Sequence, residues 1–135
     1  MSQPRSVTAV VFLVSLSAVQ VAPAQSANPA WQSTPASILK STLRSVVAAQ
    51  DQYRASNPAF AGSLEALRVR PGSDVKVHIL GATVHGWRAK ASHRARPGRS
   101  CVVFVGQQPG IEAPKTEADG QMAGEERVPL CDRME

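Results

Sequence analysis

The period of the apolar residues changes once along this chain, and that change restricts it to folds combining one long helix with a sheet. Leu39, Leu43, Val46, Gln50 and Tyr53 recur at steps of four, three, four and three, with Val47 and Ala49 beside them. This spacing draws one stripe along a helix of about six turns. Thr34-Pro35 opens it: a hydroxyl at the N-cap accepts an orphan amide bond, and proline at the first helical position has no amide to leave unpaired. Asn57-Pro58 closes it, because proline disfavours helix at the residue before it. Ser63 then caps a brief turn that puts Leu64 and Leu67 on one side, with Phe60 ahead as a staple.

Beyond the turn cluster Arg70-Pro71-Gly72-Ser73-Asp74 the period becomes two. Val75, Val77 and Ile79 alternate with Lys76 and His78, predicting a strand with one dry and one wet face. Gly81 to Thr83 is expected to turn the chain. A second strand is expected from Val84 to His93, with Trp87, Ala89 and Ala91 on one face and Arg88, Lys90 and Ser92 on the other. Arg94 to Ser100 forms the next turn around Pro97-Gly98. Cys101 to Val105 is nearly all apolar, as suits a strand inside a sheet. Gly106 to Glu126, rich in proline and glycine, reads as a long surface loop, and Val128 to Cys131 as a last short strand. The fold class is therefore α+β: one long N-terminal helix across an antiparallel sheet of three to four strands, with a disulfide-closed C-terminal loop.

The N-terminal part is organised differently. Arg5 is the only charge before an apolar run from Val7 to Val21, and Ala22-Pro23-Ala24 offers small residues where a signal peptidase reads. Residues 1–24 are expected to be a signal peptide, residues 25–34 a flexible polar leader, and residues 35–135 the domain. A retained membrane anchor is the competing reading. The run is shorter than the roughly 20 apolar residues needed to cross a bilayer and contains Thr8, Ser15, Ser17 and Gln20. Export places the protein in the periplasm or outside the cell, where Cys101 and Cys131 are expected to pair. Closing that loop stabilises the fold by about 3 to 4 kcal/mol in the chain-entropy picture. Free thiols and a zinc site are the alternatives, the second lacking a nearby ligand pair.

At this point the order of features resembles the globular part of type IV pilins and pseudopilins. The resemblance rests on "LRSVVAAQDQYRASNPAFAGSLEAL", similar to the family's helix running into an aromatic-bearing segment and a short leucine turn. It continues through "VKVHIL" and "HGWRAKASH", which look like paired strands, and closes on "CVVFVG" and "VPLC", similar to the cysteine-bounded loop near the family's C-terminus. Filament-forming members carry a hydrophobic helix directly after a glycine, with an early glutamate. Here no glycine precedes Val7 to Val21, no acid lies within it, and a proline and a polar leader separate it from the stem. The resemblance thus implies a pilin-like head without its assembly helix. Its partner would be a protein of a pilus or secretion system, and the membrane is involved only if the signal segment is retained.

Charge and chemistry narrow the function classes. The formal net charge is +5, but unevenly spread. Asp74 is the only acid between Arg68 and Arg99, whereas Gly106 to Arg127 holds Glu112, Glu117, Asp119, Glu125 and Glu126 against Lys115 and Arg127. Arg88, Lys90, Arg94, Arg96 and Arg99 are the candidate anion-binding residues, for DNA phosphates, lipid headgroups or an acidic polysaccharide. No aromatics interleave with them, so base stacking is unsupported. The plainer reading is a charged, soluble rim. The acidic loop is a second candidate recognition surface, against which stands its lack of Trp, Tyr or Phe anchors. His78, His85 and His93 could meet at a metal, but no helical pair of ligands and no strand carboxylate completes the set. G-x-S-x-G, H-E-x-x-H and P-loop sequences are absent, and Asp51 and Glu65 sit on separate elements. A non-enzymatic protein without cofactor or metal is expected.

Overall fold

The computed structural model describes residues 33–134, and the expected signal peptide and most of the leader lie outside them. Thr34 caps helix α1 (Pro35–Ser56) as expected. Its hydroxyl accepts from the Ser37 amide at 3.1 Å, while the Ser37 hydroxyl donates to the Thr34 carbonyl at 2.9 Å. At the other end Asn57 leaves helical geometry ahead of Pro58, and its Nδ2 donates to the Tyr53 carbonyl at 2.8 Å. Helix α2 (Leu64–Leu67) is capped by the Ser63 hydroxyl and ends on Arg68 in the left-handed region, φ 56°. The Arg68 and Val69 amides donate back to Glu65 and Leu64, a Schellman arrangement built without glycine.

Strands β1 (Val75–Ala82), β2 (Trp87–His93), β3 (Ser100–Val105) and β4 (Leu130–Cys131) form one antiparallel sheet in that order. Leu39, Leu43 and Val46 of α1 are fully buried against one face, where Val75, Val77, Trp87, Ala89, Ala91, Cys101 and Val103 supply the sheet half of the core. Helix α1 contacts β2 and β3, so it crosses the middle of the sheet. The disulfide joins Cys101 and Cys131, directly opposite each other in the β3–β4 register with Cα atoms 3.9 Å apart.

The hairpin between β1 and β2 corrects the expected boundaries. A bulge between Ile79 and Gly81 shifts the register, and β1 runs on to Ala82, which pairs with Trp87. The turn is closed by Thr83 donating to the Gly86 carbonyl at 2.9 Å. Val84 and His85 therefore stand in the exposed turn rather than on β2, and His85 does not share a strand face with Trp87. The last strand likewise begins at Leu130, because Val128 is exposed and Pro129 has no amide to contribute.

The region from Gly106 to Glu126 is more than a surface excursion. Within it the Ala123 amide donates to the Pro114 carbonyl at 3.0 Å and the Thr116 amide to Gln121 at 2.9 Å, around a Lys115–Met122 bridge. Pro114, Thr116 and Ala123 are buried. The acidic segment is thus a small hairpin that covers part of the sheet.

Candidate functional site

The face of the sheet away from α1 is set by the same alternation that builds the core. With Trp87, Ala89 and Ala91 turned to the helix, Arg88, Lys90 and Ser92 take the opposite face. The register places them across from Phe104, Val102 and Ser100 on β3, and His78 and Lys76 stand opposite Lys90 and Ser92 on β1. The acidic loop lies over this face. Glu117 pairs with Lys90 at 2.8 Å, and Arg88 donates from Nη1 to the Glu112 carbonyl at 2.7 Å.

Two of the five candidate cations are therefore engaged by the segment of opposite charge. The other three gather at the β2–β3 turn. Arg94 stands 3.7 Å from Asp74 with its side chain 83 % exposed, so this pair contributes little against solvent screening. Arg96 donates from Nε to the Met134 carbonyl at 2.6 Å, and Arg99 donates from Nη1 to the Arg133 carbonyl. The turn thus holds Arg133 and Met134 by their backbone, and among the described residues Asp74 is the one carboxylate paired with its charges.

What holds the loop is Asp132, a residue that nothing in the sequence marks beyond its place after Cys131. It is 3 % exposed. Its Oδ2 accepts from the amides of Ser100 at 2.8 Å and Ala118 at 3.0 Å, and its Oδ1 from Asp119 at 2.7 Å. Burial pushes the carboxyl pKa upward, but those three amides and the Thr116 side chain more than offset it, lowering the pKa to about 2. Asp119 reciprocates by accepting from the Arg133 amide at 2.9 Å, and the Ser100 hydroxyl accepts from Glu117 at 2.9 Å. Disulfide, carboxylate and hydroxyl form one clasp between β3, β4 and the loop.

The histidines do not converge. His78 is exposed on β1, His85 is in the turn, and His93 at the end of β2 accepts at Nδ1 from the Ala95 amide. Among the described residues no cluster of His, Cys, Asp or Glu could hold a metal ion, and no helix is long and apolar enough to cross a membrane.

Beside the clasp the loop leaves a half-open cavity of about 340 Å³ against the sheet, lined by Arg88, Phe104, Gln108, Ile111, Pro114 and Ala123 among others. Gln108 braces its rim by donating from Nε2 to the Gly86 carbonyl at 3.0 Å. Two buried donors lack an acceptor among the described residues, the indole Nε1 of Trp87 and the Nε of Arg88.

No protein-family model and no curated protein sequence matches this chain.

Proposed function

We propose that the chain is an exported, non-enzymatic interaction module with a pilin-like head, serving as an accessory to a pilus or secretion assembly. The observation that carries this reading is the order of parts: a single amphipathic helix, then a sequential antiparallel sheet with the helix across one face, then a cysteine-bounded loop over the other. Such a head offers a partner two rigid displays, the β1 side of the sheet with Lys76 and His78, and the clasped loop.

The test is intact mass of the exported chain with and without reduction, combined with photocrosslinking from His78 in the native host. A mass beginning at Gln25, two hydrogens lighter before reduction, together with crosslinks to pilus or secretion subunits supports the module. Retention of Val7 to Val21 in the membrane fraction turns the reading towards an anchored pseudopilin subunit. A reduced chain in the cytoplasm overturns both.

A second reading is favoured by the crowding of Arg94, Arg96 and Arg99 on one turn: a soluble binder of polyanions. Binding of this kind weakens steeply as salt rises, because phosphate contacts release counterions. Salt-sensitive binding to heparin or DNA that disappears in the R94A/R96A/R99A variant, while the fold persists, supports it. Unchanged binding in that variant sinks it.

A further inference from the structure

The groove between loop and sheet has the makings of a ligand site, and it stands apart from any role in assembly. Register sets Arg88 opposite Gly81, next to the bulge in β1. The guanidinium lies over this position: a Cβ at Gly81 would stand 3.7 Å from Arg88 Nε, an ordinary contact. Arg88 is partly buried and forms no ion pair among the described residues. Its neighbours' charges are already matched, Lys90 with Glu117 at 2.8 Å and Glu112 with Lys115 at 3.1 Å. A neutral carbonyl takes Nη1, Nε is buried without an acceptor, and Nη2 makes no hydrogen bond among the described residues. A guanidinium without a carboxylate partner is the group suited to receive one.

The remaining walls are of another kind. Phe104, Ile111, Pro114 and Ala123 are apolar, and Ile111 is 44 % exposed at the mouth. A cavity of about 340 Å³ lies at the small end of ligand pockets, which combine apolar walls with a few placed polar groups. We propose that this groove binds a small amphipathic carboxylate, its charged end on the Arg88 guanidinium and its apolar body against Phe104 and Ile111.

Titration of the disulfide-bonded chain with 4-phenylbutyrate, followed by ¹H–¹⁵N correlation spectra, tests this. The expected result is saturable movement of the Gly106, Ile111 and Ala123 amides, together with a shift of the Arg88 Nε–H resonance as the guanidinium gains a carboxylate. The neutral analogue 4-phenylbutanol and acetate should each bind at least about tenfold more weakly, since each lacks one half of the recognition. R88Q should weaken the acid by a similar factor. I111E, at an exposed position, should do so by like charge without altering Arg88, which keeps the test sound if R88Q fails to fold. Equal binding of acid and alcohol, an unmoved Nε–H resonance, or wild-type affinity in I111E would overturn the proposal.

Discussion

Asp132 and Gln50 each hold two chain segments together through backbone groups, and each can be tested by one substitution. For Asp132 the folded-state pKa of about 2 lies below the ordinary value of 3.8, so the unfolded chain takes up the proton more readily. The stability it contributes, about 2 kcal/mol from that difference, is complete above the unfolded value and is lost as pH falls towards 2. D132N sets an amide NH₂ against N–H donors; urea titration at neutral pH should show a loss of about 2 to 3 kcal/mol. Its stability should also vary less than wild type between about pH 5 and pH 2. Gln50 is fully buried, donating to the Ala61 carbonyl and accepting from the Ala61 amide, both at 2.8 Å. Q50L keeps the apolar stripe but leaves both Ala61 groups unpaired, and should cost about 2 to 4 kcal/mol by the same titration. The helical spacing places Gln50 in the stripe correctly. It carries no sign that the position needs an amide, because the partner is a backbone eleven residues on.

Among the elements, the β1–β2 hairpin and the end of β3 meet too closely for side chains. A Cβ at Gly86 would stand 2.2 Å from the Val105 carbonyl oxygen, and one at Gly106 would stand 2.0 Å from that of His85. Gly106 also has φ +77°, a conformation that L side chains rarely adopt. Thermal or urea unfolding of G86A should therefore show about 3 kcal/mol or more of destabilisation. G62A, where nothing lies within 4 Å, should stay within about 0.5 kcal/mol. Period and caps were enough to find α1, α2 and the cores of three strands, because those signals are local. The bulge after Ile79, which displaces the turn and strips Val84 and His85 from β2, depends on how Gly81 and Arg88 pair across strands. The burial of Thr116 and Ala123 depends on the whole clasp. The cationic alternation of β2 was readable too, but not that Glu112 and Glu117 would come to lie over it.

At the level of the molecule, one sheet divides two environments. Behind it α1 supplies a dry core; in front, a charged hairpin meets a charged sheet face and leaves a groove at one side. A further tie, between Arg127 and Asp51, links the end of the loop to α1 around the edge of the sheet. The loop closed by Cys101 and Cys131 has one more consequence. A protease that cuts once inside it makes two polypeptides that remain one covalent molecule. Lys115 and Arg127, with side chains 51 % and 49 % exposed, are the basic residues inside the loop at which trypsin would do so. Brief digestion should give a species of nearly unchanged mobility on a non-reducing gel, resolving into a long and a short piece once thiol is added. The short piece would carry β4 and Asp132, so the nicked protein would keep the carboxylate that holds it in place and survive as a two-chain form of the same fold.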